Sequence, residues 1–145
     1  MLERTVIELS RQTNEKWCKM ALILVVEDEK NIARAVKDKL AREGFTVESV
    51  YSGEEALSCL EEGIPALVIL DVMMPGMGGY EVVRRIRADK RMQSVKIMLL
   101  TVLPEEEKES DIEVDAWLRK PYKGSDLIEK VRALTAPANP PATSD

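Results

Sequence analysis

Short apolar runs alternate along the chain with longer segments whose apolar residues recur at helical spacing. Residues 22–26 read Leu-Ile-Leu-Val-Val, residues 66–70 Ala-Leu-Val-Ile-Leu and residues 96–100 Lys-Ile-Met-Leu-Leu. Phe-Thr-Val-Glu-Ser-Val at 45–50 and the stretch at 114–119 complete a set of five. Runs this short, rich in Val, Ile and Leu and flanked by helical patterns, predict buried parallel strands. Between them, Ile32, Val36 and Leu40 mark one face of a helix over 30–43, with Gly44 as its stop. Ala56, Leu57 and Leu60 face inward from a helix opened by Ser52-Gly53. Tyr80, Val83 and Ile86 do so from a helix over 78–89, with Arg84, Arg85 and Arg87 outward. Leu127, Ile128, Val131 and Leu134 stripe a last helix from Ser125. The pattern predicts an α/β, doubly wound domain.

Polar residues sit where these strands stop. Glu27-Asp28-Glu29 follows the first, Asp71 the third, Thr101 the fourth and Lys120-Pro121 the fifth. Ligands of open α/β sheets bind beyond the carboxyl ends of the strands, so these groups share one crevice. Carboxylates crowded together raise one another's pKa unless a cation compensates. Mg²⁺, a hard cation with oxygen ligands, fits Glu27, Asp28 and Asp71. A single strand-end acid would be read as solvated or as a helix cap. A doublet and a singlet on neighbouring strands favour a metal site. Asp71 can also act as a nucleophile toward phosphorus, giving an aspartyl phosphate. Lys120 then supplies a compact cation and Thr101 a hydroxyl donor.

Composition narrows the class without changing that picture. The 145 residues suit one domain from 21 to 135, with an amphipathic extension over 1–20 and a Pro-rich, disordered tail over 136–145. A net charge of −5 gives no footprint for direct nucleic-acid binding. Cys18 and Cys59 form no metal or redox spacing, and Cys59 reads as a semi-buried thiol. With no membrane-length apolar stretch and no secretory signal, a cytoplasmic location is expected. The chain has no histidine, so it carries neither His-based acid–base chemistry nor a phosphohistidine of its own.

The strings Ile23-Leu-Val-Val-Glu-Asp-Glu29, Leu70-Asp-Val-Met-Met-Pro-Gly76, Leu100-Thr101 and Arg119-Lys120-Pro121 strongly resemble the receiver domain of two-component response regulators. The resemblance covers about residues 21 to 135. It implies a flavodoxin-like five-stranded sheet in the order 2-1-3-4-5. It implies Asp71 as phospho-acceptor, and Mg²⁺ held by Asp28, by Asp71, by the Met73 backbone carbonyl and, mainly through water, by Glu27. Thr101 matches the switch hydroxyl, Lys120 the site lysine and Trp117 the switch aromatic, although plain packing explains Trp117 equally well. A cis Lys120–Pro121 peptide follows from the same resemblance. The implied partner is a sensor histidine kinase or a histidine phosphotransfer protein, with an unknown downstream protein. Such a chain is no enzyme beyond its own phosphorylation and dephosphorylation.

Three features depart from the family. The segment 102–115 is about one helical turn short, which predicts a shortened helix before the fifth strand. Val102 replaces a smaller residue and narrows access to the site. No output domain is read after Leu134, so either a single-domain regulator or a receiver cut from a longer protein is expected. Rival readings fare worse. A haloacid-dehalogenase-type enzyme needs a second Asp where Met73 stands. A flavodoxin-like nucleotide site needs a Gly- and Ser-rich first loop where Glu27-Asp28-Glu29 stands. A pseudo-receiver that is never phosphorylated remains the alternative. Met73 and Leu103 offer no hydrogen bond to an attacking water, so a long-lived phosphorylated state is expected.

Overall fold

The computed structural model describes residues 22–102 and 111–136. The amphipathic N-terminal extension, most of the Pro-rich tail and the greater part of the joint between the fourth and fifth strands lie outside them. The five parallel strands are β1 (Leu22–Val26), β2 (Thr46–Val50), β3 (Leu67–Asp71), β4 (Lys96–Thr101) and β5 (Ala116–Arg119). They lie in the order β2-β1-β3-β4-β5, as expected. The described helices are α1 (Lys30–Arg42), α2 (Gly53–Glu62), α3 (Gly79–Ala88) and α4 (Gly124–Thr135), with a short 3₁₀ turn at Lys90–Met92. Residues 111–115, the described end of the shortened segment, are not helical.

Alternation along the strands divides the core into two layers. Leu24, Val26, Val68, Leu70, Ile97 and Leu99 point to one face, covered by α2 and α3. Ile23, Val25, Ile69, Met98 and Leu100 point to the other, covered by α1 and α4. Burial on both faces explains why the central strands read as continuous apolar runs. Parallel pairing then sets where each strand stops. Val26 lies opposite Leu70, Asp71 opposite Leu100 and Thr101 opposite Arg119. Gly44, at φ +97°, ends α1 in the left-handed conformation that favours glycine.

Two assignments from the helical pattern change. Ile32 is 39% exposed, and the buried stripe of α1 is Ala33, Val36 and Leu40. Steps of four residues overshoot a 3.6-residue turn by about 40° each, so Ile32 falls off the line through Val36 and Leu40. Arg87 does not point into solvent. Its guanidinium folds back to the Val95 and Glu113 carbonyls and the Asp115 carboxylate.

Candidate functional site

Each polar group of the site is delivered by the end of a buried strand. Past β1, the Glu27 amide donates to the Val50 carbonyl at 3.1 Å before the chain turns into α1. Past β3, the Val72 amide donates to Leu100 O at 3.0 Å, so Asp71 is held between two paired peptides. The Lys120 amide donates to Thr101 O at 2.7 Å, tying the lysine to the hydroxyl-bearing residue through the backbone.

The side chains converge. Lys120 Nζ lies 2.9 Å from Asp71 Oδ2 and 3.5 Å from Glu27 Oε1. Asp71 Oδ1 accepts the Met73 amide at 3.0 Å, and Glu27 Oε2 accepts the Glu29 amide at 3.1 Å. One carboxylate oxygen each from Glu27, Asp28 and Asp71 lies within 4.8 Å of the others. Glu27, Asp71 and Thr101 are buried and Asp28 is exposed, so the cluster has a closed floor and an open mouth. The mouth carries exposed apolar side chains at Met73 and Val102.

Asp71 and Glu27 face the Lys120 ammonium, with Asp28 beside them, and the electrostatics record the crowding. Burial, followed by the hydrogen bond to Asp71, pushes Glu27 up to about 7 despite the Glu29 amide and the lysine. Burial works to lower Lys120, but the Asp71 hydrogen bond and the charges of Asp71 and Glu27 outweigh it and hold the ammonium above its ordinary value. An acid whose ionisation is disfavoured by burial and by a neighbouring carboxylate is relieved by an added divalent cation. The donors are all oxygen, which suits Mg²⁺ and not a thiolate- or imidazole-seeking metal.

The structure therefore brings together Glu27, Asp28, Asp71 and Lys120, with Thr101 at the next strand end. Trp117 lies on β5, three residues before Lys120. It is half-buried on the α2/α3 side of β5, with its ring edge-on to Tyr80 at 6.3 Å and 65°. Lys120–Pro121 is cis. Sequence reasoning missed the Met73 amide on Asp71 and the tight packing of Gly79 behind it. The signal was present in the doublet Gly78-Gly79, which opens a helix where a Ser, Thr or Asp cap is usual.

An open parallel sheet of this order, with an acidic crevice and a lysine at its carboxyl edge, defines a flavodoxin-like domain. The chain belongs to the response regulator receiver domain family, which matches residues 23–132. The transcriptional regulatory protein YkoG of Bacillus subtilis, itself uncharacterised, is 39% identical over 114 residues, 77% of this chain and 49% of that one. The phosphate regulon transcriptional regulatory protein PhoB of Rhizobium meliloti is 34% identical over 125 residues, 84% of this chain and 55% of that one. The chain thus spans about half the length of these relatives. Among solved structures, the chemotaxis response regulator CheY4 of Vibrio cholerae superposes with a TM-score of 0.74 at 30% identity, over 79% of this chain and 98% of that one. The response regulator TrrA of Thermotoga maritima, in complex with Mg(2+)-BeF, gives 0.70 at 40% identity, over 79% and 99%. No helix among the described residues is long and apolar enough to cross a membrane.

Proposed function

We propose that Asp71 accepts a phosphoryl group from a phosphohistidine on a sensor histidine kinase or histidine phosphotransfer protein. The observation that carries this reading is the state of Asp71. One of its oxygens is fixed by the Met73 amide, the other faces Lys120, and two further acids stand alongside. In the transfer, a carboxylate oxygen of Asp71 forms the new O–P bond while the P–N bond breaks and the imidazole leaves. The Lys120 ammonium lies where negative charge collects, and Thr101 supplies a hydroxyl from the adjacent strand end. Glu27, Asp28, Asp71 and the Met73 carbonyl are the groups proposed to hold Mg²⁺. When bound, that ion neutralises charge on the phosphoryl oxygens. The Mg(2+)-BeF complex of TrrA supports this choice of metal. Phosphorylation would switch a protein-interaction surface, with Thr101 and Trp117 as its moving parts.

The test is incubation with Mg²⁺ and a small phosphodonor such as acetyl phosphate, read by intact mass. One phosphoryl-sized gain is expected, absent without the metal and absent in Asp71→Asn. A wild type that gains nothing would leave the pseudo-receiver reading in its place.

A further inference from the structure

The loop from Val72 to Gly78 carries the Met73 amide that holds Asp71, and positions lacking a Cβ close it in from both ends. A Cβ on Gly79, the first residue of α3, would lie 2.5 Å from the Asp71 carbonyl oxygen and 2.8 Å from Val72 Cα. The Gly79 amide donates to Val72 O at 3.0 Å. These neighbours are backbone atoms of the acceptor segment itself and cannot turn aside as a side chain can. At the loop's far end, a Cβ on Gly53, the first residue of α2, would lie 3.0 Å from Met77 O and 2.8 Å from Val82 Cγ2. Gly78 differs. Its Cβ would meet only Val72 O at 3.5 Å and Met74 O at 4.0 Å, ordinary contact distances. Positive φ occurs elsewhere, at Gly44 and Gly76, so Gly79 and Gly53 are required for space and not for backbone conformation.

We propose that Gly79 and Gly53 are positioning residues for the phosphoryl site. By letting α3 and α2 approach the loop closely, they set where the Met73 peptide stands relative to Asp71. The inference rests on Asp71 being the phospho-acceptor. Alanine at 79 must open a 2.5 Å approach to at least 3.0 Å, a displacement of about 0.5 Å at the β3 exit. That equals the tolerance within which a functional constellation has to be held, about 0.5 Å. The same residue, Met73, bears on its two flanking peptides both the amide on Asp71 and the carbonyl proposed as a metal ligand, so a shift of the loop there moves both.

The experiment is a calorimetric titration with Mg²⁺ alone on Gly79→Ala, Gly53→Ala, Gly78→Ala and Val131→Ala, alongside the wild type. Val131 is fully buried under the opposite face of the sheet and controls for lost stability. Gly79→Ala should bind Mg²⁺ about 10–100-fold more weakly, the range for groups that orient metal ligands. Gly53→Ala should lose less, because its Cβ would press on Val82 Cγ2, Met77 O and Met77 Cβ at 2.8, 3.0 and 3.1 Å and not on the backbone of Asp71 itself. Gly78→Ala and Val131→Ala should keep wild-type affinity. Wild-type affinity in Gly79→Ala, or an equal loss in Val131→Ala, overturns the proposal. If Gly79→Ala does not fold, Gly53→Ala decides: weaker binding supports the proposal and unchanged binding overturns it. A wild type that neither binds Mg²⁺ nor gains phosphoryl mass overturns the phospho-acceptor reading and this one with it. A fully active wild type with unaffected glycine variants removes this one alone.

Discussion

Glu27 shows how acids coexist at the buried floor of a crevice. Its pKa is raised from 4.5 to about 7, first by burial and then by the hydrogen bond to Asp71. Between those values the metal-free folded chain keeps a proton that the unfolded chain releases. Its contribution to stability is therefore complete below about pH 4.5 and declines as pH rises toward about 7. The melting temperature of the metal-free wild type should fall relative to Glu27→Gln across that window, and parallel curves would reject the assignment. Met73 poses a different question at the same mouth. The residue is 58% exposed, and its thioether, only a weak acceptor, cannot orient a water against an Asp71–phosphorus bond. Positioning is most of what phosphoryl-transfer catalysis consists of, so the phosphoprotein should be long-lived. Met73→Asn combined with Leu103→Glu should speed loss of the phosphoryl mass after donor removal. Wild-type decay within seconds, or an unchanged rate in the double variant, would contradict this account.

At the scale of elements, Arg87 converts one helix face into a three-way tie. Its Nε donates to Glu113 O at 3.0 Å, Nη1 to Val95 O at 2.8 Å and Nη2 to Asp115 Oδ2 at 3.0 Å. The same Asp115 oxygen accepts the Ile97 amide at 2.8 Å. The end of α3, the start of β4 and the approach to β5 are thereby joined beside the strand that carries Trp117. Only the planar guanidinium reaches all three partners, so Arg87→Lys should lose nearly as much stability as Arg87→Ala. The loss should be about 1–3 kcal/mol in urea unfolding, the scale of charge-assisted hydrogen bonds. A lysine that restores wild-type stability would show that charge alone suffices. Periodicity could not reveal this tie. It assigns a residue to a helix side, while a long side chain travels along the surface to partners distant in sequence.

For the whole molecule, the strands were legible because parallel strands buried on both faces are continuous apolar runs, and the crevice because strand ends in an open sheet share an edge. Glu27, Asp28, Asp71 and Lys120 could therefore be placed together before any coordinates. The close approach of Gly79 left only the Gly78-Gly79 doublet at a helix start as its mark, because contact at a missing Cβ changes neither composition nor period. The same two-layer logic bears on where the folding unit stops. Within residues 22–136, α2 and α3 cover one face of the sheet and α1 and α4 the other, with the buried residues running from Leu22 to Val131. A chain trimmed to residues 21–136 should therefore unfold in one cooperative transition, within about 1 kcal/mol of the full chain. Its rate of phosphoryl uptake should match, since every proposed site residue lies inside it. A trimmed chain that aggregates, unfolds in two steps or takes up phosphoryl markedly more slowly would place residues 1–20 or the tail in the core or at the site.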